Sequence, residues 1–147
     1  MVKHSQPMKT LIKFNSAGLQ LFGIIIAPEV IKDKNPAVIF VHGLTGSKES
    51  SCQYADGLAE LGYISFLFDM RGHGGSEGDI NTALTKDFLE DCISGYDYLA
   101  NRKDIDKDNI SVVGSSMGGY LAAILTSKRD IKNLVLRAPA DYPNYVF

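Results

Sequence analysis

The chain has 147 residues, 45% hydrophobic and 22% charged, which is the composition of a globular chain of about one domain with enough apolar material for a core. A formal net charge of −2 gives no electrostatic ground for nucleic acid or an anionic membrane as partner, leaving a small molecule or another protein. The start, Met1-Val2-Lys3-His4-Ser5-Gln6-Pro7, has no apolar run behind its charge, and no later stretch is long enough to span a bilayer, so the sequence predicts a cytoplasmic protein.

Residues 9–14 alternate polar and apolar side chains, Asn15-Ser16-Ala17-Gly18 supplies turn chemistry, and residues 19–27 run apolar again until Pro28. This pattern predicts an antiparallel hairpin. Residues 37–41, Ala-Val-Ile-Phe-Val, form a short unbroken apolar run, as expected of a strand buried on both faces of a parallel sheet. The same pattern returns at 64–68, 110–113 and 134–136. Helical stripes lie between these runs: Ala55, Leu58, Ala59 and Gly62 on one, Leu84, Phe88, Cys92, Tyr96 and Leu99 on the next, and Tyr120, Leu121, Ile124 and Leu125 on the third. Alternating strand and helix implies right-handed βαβ crossovers and an α/β fold with a doubly wound, mostly parallel sheet, the hairpin adding an antiparallel edge. Cys52 and Cys92 fall in predicted helices without metal or redox spacing and are expected to be buried or half-buried free thiols.

In such a sheet ligands bind beyond the carboxyl ends of the strands, which directs attention to the segments just after each apolar run. Gly114-Ser115-Ser116-Met117-Gly118 follows the run at 110–113 and opens a helix, the strand–turn–helix setting that a G-x-S-x-G nucleophile turn requires. A sharp turn strains the serine backbone, Gly114 and Gly118 permit close approach of strand and helix, and the helix N-terminus favours developing negative charge. The competing reading is a Gly/Ser-rich loop that binds phosphate or nothing, although no Walker lysine and no G-x-G-x-x-G is present. If Ser116 is the nucleophile, the Met117 amide is one oxyanion donor, and His42-Gly43-Leu44 after the first buried strand suits a second, from the Leu44 N–H.

Four segments in order, Val41-His42-Gly43, Asp69-Met70-Arg71-Gly72-His73-Gly74-Gly75-Ser76, Gly114-Ser115-Ser116-Met117-Gly118-Gly119 and Arg137-Ala138-Pro139-Ala140, resemble the α/β-hydrolase superfamily. The likeness is nearest to its serine esterases and acyl hydrolases of the carboxylesterase, cinnamoyl-esterase and serine-aminopeptidase-like group. The resemblance implies Ser116 as nucleophile, Leu44 and Met117 as oxyanion amides, a small-molecule ester as substrate, and neither cofactor nor metal. It also implies structural roles for His42 and His73. Asp69 and Arg71 are read as a loop-organising charged pair, and Glu77 and Glu90 as solvated surface charges.

The family order is nucleophile, acid, histidine. Asp141 in Pro139-Ala140-Asp141-Tyr142 matches an early acid position only loosely, and no later histidine is present. The expectation is therefore the N-terminal portion, residues 1–147, of a single α/β-hydrolase domain, truncated after about the sixth strand and lacking the lid, acid strand and histidine strand. Without a base the serine is a weak nucleophile. The strand at 134–136 and the aromatic residues at 142–147 are expected to leave an exposed sheet edge through which the chain associates with itself. The alternative from another class is a non-catalytic binding or assembly module built on the same fold.

Overall fold

The computed structural model describes residues 6–142. The expected hairpin is formed by β1 (Met8–Ser16) and β2 (Leu19–Ala27), antiparallel and paired from Met8 with Ala27 to Ser16 with Leu19. Pairing runs through Asn15 and Ser16, so the turn contracts to Ala17-Gly18, with φ of 49° and 83°. Two residues of that hand match the right-handed twist of the flanking strands.

The chain continues through β3 (Asn35–Val41), a short 3-10 turn at Lys48–Ser51, α1 (Cys52–Glu60), β4 (Ile64–Phe68), α2 (Thr85–Ala100), β5 (Ile105–Ser115), α3 (Met117–Leu125) and β6 (Leu134–Arg137). One sheet holds all six strands in the order β1-β2-β4-β3-β5-β6. β2 meets β4 antiparallel, while β4, β3, β5 and β6 run parallel. The α/β sheet with an antiparallel N-terminal edge is thus as the sequence implies.

Period-two alternation along the strands gives the sheet two apolar faces. On one, Ile25, Ile39, Phe66, Phe68 and Val112 pack under Phe88, Cys92, Tyr96 and Leu99 of α2 and Leu121 and Leu125 of α3. On the other, Ile24, Ile26, Val38, Phe40 and Leu67 pack under Ala55 and Ala59 of α1. The opposite placement of α1 is what right-handed crossovers require, because the chain moves from β3 to β4 in one direction and from β4 to β5 in the other. Phe14 adds an edge-on ring to Phe66 and Phe68, each 5.5 Å away. Cys52 and Cys92 are free thiols, half-buried and buried.

Three local expectations change. Gly62 leaves the α1 stripe: it lies beyond the helix with φ 89°, its N–H bonded to Ala59 O at 3.0 Å, and so reverses the chain. Leu84 is the exposed cap residue of α2 rather than part of its buried face. Finally, 134–136 is not buried on both faces. Leu134, Val135 and Leu136 are 36%, 52% and 41% exposed, because β6 ends the strand order and has β5 as its sole strand partner among the described residues.

Candidate active site

β3 and β5 are neighbours, and the chain leaves β3 toward β4 but leaves β5 toward β6 on the opposite side, so the loops after β3 and β5 part at their carboxyl ends and leave a crevice. Ser116 stands in that crevice, exposed, between the last residue of β5 and the first of α3. Its φ of 53° and ψ of −122° lie outside the regions ordinary residues favour. Backbone bonds over-determine this conformation: Ser116 N–H donates to Arg137 O at 3.0 Å, and Ser116 O accepts from Gly119 at 2.9 Å, Tyr120 at 3.2 Å and Ala140 at 2.9 Å. Strain of this kind persists only where the surroundings hold it.

The two flanking glycines make the turn sterically attainable. A Cβ on Gly114 would fall 2.3 Å from Gly118 O, and one on Gly118 would strike the Val41 and His42 carbonyls. α3 therefore starts directly on the end of β3. Gly43, on the loop after β3, lies against the serine, a Cβ there falling 3.3 Å from Ser116 Cβ and 3.9 Å from its Oγ. Leu44 follows at once and is 46% exposed, while Met117 is the buried first residue of α3. Neither the Leu44 nor the Met117 amide donates to an acceptor among the described residues. The three sequence-predicted site residues thus come to one place.

The loop after β3 is held from below by two imidazoles, with ring centroids 4.7 Å apart. His42 Nε2 accepts the Met70 N–H at 3.1 Å, so the ring proton sits on Nδ1, which donates to Gly43 O at 2.6 Å. Burial, more than the opposing hydrogen bond to Gly43 O, keeps His42 below the ordinary histidine pKa, with His73 adding to the depression. His73 Nδ1 faces Arg71 O at 2.9 Å, and its Nε2 faces Leu44 O. Both rings are consumed by the backbone, and among the described residues neither offers a nitrogen to Ser116.

Asp69 and Arg71 organise the loops, but not as a pair with each other. The fully buried Asp69 carboxylate receives Lys48 Nζ at 2.7 Å, Lys48 N–H at 2.7 Å and Gly75 N–H at 3.1 Å, tying the loop after β4 to the loop after β3. Burial opposes the Lys48 charge, yet hydrogen bonds to Asp69 and Glu49 outweigh it and raise its pKa. Arg71 instead forks onto Asp91 of α2 at 2.8 and 3.1 Å, and Asp91 also accepts Ser16 Oγ at 2.7 Å and Arg71 N–H at 2.8 Å. The sequence signal for Asp91 is its place beside Cys92 and three residues after Phe88, where a carboxylate must be buried and therefore partnered. Glu77 is exposed as expected, with the Gln20 N–H bonded to its carboxylate at 2.8 Å, and half-exposed Glu90 lies 4.0 Å from Arg71. Asp141 is exposed, one residue past Ala140.

An apolar groove of about 730 Å³ runs beside the turn on the α1 face, lined by Phe40, Tyr54, Leu58, Val113, Ser115 and Leu136 among others. Ser115 faces this groove, which separates its role from that of Ser116. A polar cavity of about 440 Å³ between Tyr96, Lys107 and Asp130 contains none of the site residues. Among the described residues, no cluster of His, Cys, Asp or Glu could hold a metal ion, and no helix is long and apolar enough to cross a membrane.

Residues 36–146 match the family described as the alpha/beta hydrolase fold. The chain belongs to that family. Its likeness to human dipeptidyl peptidase 8 is 31% identity over 129 residues, covering 78% of this chain and 14% of that protein. Among solved structures, the α/β-hydrolase GrgF of Penicillium sp. sh18 superposes with a TM-score of 0.81 at 20% identity, covering 90% of this chain and 46% of that one. Est1E of Butyrivibrio proteoclasticus, determined with ferulic acid bound, gives 0.78 at 26% identity, covering 87% and 52%. The chain therefore spans about half the length of these structures and well under half of that curated relative.

Proposed function

We propose that this α/β-hydrolase chain bears the nucleophile half of a serine ester hydrolase acting on a small carboxylic ester. The observation that carries the reading is Ser116 itself: exposed in a strained strand-to-helix turn, at the N-terminus of α3, with Gly43 packed against it. In the proposed reaction Ser116 Oγ attacks the ester carbonyl as its proton passes to a base. The tetrahedral oxyanion is met by the Leu44 and Met117 amides, and the alcohol departs to leave an acyl-serine. Water then repeats the sequence and releases the carboxylic acid. Similarity to Est1E, determined with the carboxylic acid ferulic acid bound, supports a carboxylic ester as substrate, and similarity to a dipeptidyl peptidase marks amides as the neighbouring alternative.

Among the described residues both imidazoles are tied to backbone groups, so this reading assigns the base to a residue outside 6–142. We place residues 1–147 in the N-terminal portion of a single hydrolase domain of the cytoplasm. The same observation supports the second reading, a non-catalytic binding or assembly module.

An activated-phosphonate probe decides between them. The longer protein containing this chain is expected to be labelled on Ser116, and Ser116→Ala is expected to abolish labelling and ester turnover. A wild type that turns over no ester and takes no label would leave the binding module as the answer.

A further inference from the structure

The peptide unit joining Gly43 to Leu44 is held by one side chain. Its carbonyl, Gly43 O, accepts His42 Nδ1–H at 2.6 Å and also the Gly46 N–H at 2.9 Å. The Gly43–Leu44 peptide is trans, so the Leu44 N–H of the same unit points the opposite way, away from the His42 ring. The Gly43 Cα is packed against Ser116. His42 cannot turn to another partner, because its Nε2 lone pair is occupied by the Met70 N–H and the ring is 6% exposed. The neighbouring carbonyl, Leu44 O, faces His73 Nε2. The backbone of β4's following loop thereby dictates which nitrogen of His42 carries the proton, and that proton dictates the orientation of an amide on a different loop.

We propose that His42 is a positioning residue: locked as the Nδ1–H tautomer by the Met70 amide, it holds the Gly43–Leu44 peptide with its N–H turned toward the oxyanion at Ser116. This rests on the reading of Ser116 as nucleophile and assigns His42 a role beyond filling the loop. Its contribution belongs to the transition state, since an amide aimed at a developing oxyanion lowers the barrier without tightening ground-state binding.

Two substitutions separate its two hydrogen bonds. In His42→Asn the amide nitrogen replaces Nδ1 and keeps the donor to Gly43 O while losing Met70. In His42→Gln the longer side chain reaches the Nε2 position, keeping Met70 and losing Gly43. In the longer protein containing this chain, His42→Gln is expected to lower kcat by roughly 100-fold, the loss associated with one oxyanion donor, with KM nearly unchanged. His42→Asn is expected to retain most of kcat. On the wild type, the long-range proton–nitrogen NMR spectrum of the ring is expected to show Nδ1 protonated and Nε2 bare. A ring protonated on Nε2, or His42→Gln turning over as fast as His42→Asn, overturns the proposal. A wild type whose Ser116 takes no phosphonate label overturns instead the functional reading beneath it. The ring spectrum needs no variant to fold.

Discussion

Gly118 rests its Cα on the backbone end of β3: a Cβ there would lie 2.2 Å from Val41 O and 2.4 Å from His42 O. Neither carbonyl is the far end of a flexible side chain, so relief requires moving a central strand. Gly118→Ala is expected to cost about 3 kcal/mol, the upper range of overpacking. The midpoint of urea unfolding checks this, and an unchanged midpoint would contradict the packing of α3 on β3.

Ser116 holds φ 53° and ψ −122°. A residue in such a conformation stores about 1–3 kcal/mol, whereas glycine occupies it at little cost. Ser116→Gly is therefore expected to raise stability by about 1 kcal/mol after the added freedom of its unfolded chain, while abolishing phosphonate labelling. A variant less stable than the wild type would show that the serine conformation is not strained.

Asp91 receives the Arg71 fork and the Ser16 hydroxyl in a site closed to water. Asp91→Ala would leave the Arg71 guanidinium, 11% exposed, without its main partner. The expected loss is about 3–5 kcal/mol, the cost of breaking a buried ion pair from one side. Arg71→Met together with Asp91→Leu should recover much of it in the same unfolding measurement.

Acid should loosen the loop after β3. His42 has its pKa lowered from 6.5, chiefly by burial, so near pH 6.5 the unfolded chain takes up protons that the folded chain refuses. Its contribution is therefore complete above pH 6.5 and is lost as pH falls toward the depressed folded value. The groups facing it are His73, Asp69 and Glu49, with Lys48 on Asp69. Unfolding midpoints measured at intervals below pH 6.5 should fall for the wild type and fall less for His42→Asn; parallel curves would exclude His42 as the source.

We also propose that β6 pairs with β6 of a second copy, extending the sheet. Val135, 52% exposed on that edge strand, is the position to probe. Sedimentation is expected to show a dimer of the 147-residue chain that Val135→Lys returns to monomer, since a lysine on an edge opposes strand addition. A monomeric wild type at high concentration removes the proposal.

Much of this arrangement was legible in the residues themselves. Unbroken apolar runs marked β3, β4 and β5, because a strand covered on both faces has no position at which a polar side chain is cheap. Gly114 and Gly118 marked the turn, because only they admit the approach that the structure displays. Partner choice was not legible. Asp69 and Arg71 are two residues apart and opposite in charge, yet the strand end sends them to opposite sides, one to Lys48 and the other to Asp91. A sequence shows that a buried charge needs a counter-charge; which element supplies it depends on the crossovers. The apolar run at 134–136 reports the surroundings a strand is suited to, so taken alone it implies burial on both faces, whereas its place as the last strand of the order implies the exposed edge that is observed.

That order also sets a schedule for synthesis. Ala37 in β3 pairs with Ile110 in β5, so one side of β3 has no parallel neighbour until roughly seventy further residues have left the ribosome, about 4–15 s at ~5–20 residues per second. During that interval the Val38-Ile39-Phe40-Val41 backbone presents an open, apolar edge. The turn bearing Ser116 cannot close before β5 docks there, so Ser116 acquires its conformation only after the most aggregation-prone stage of the nascent chain has passed.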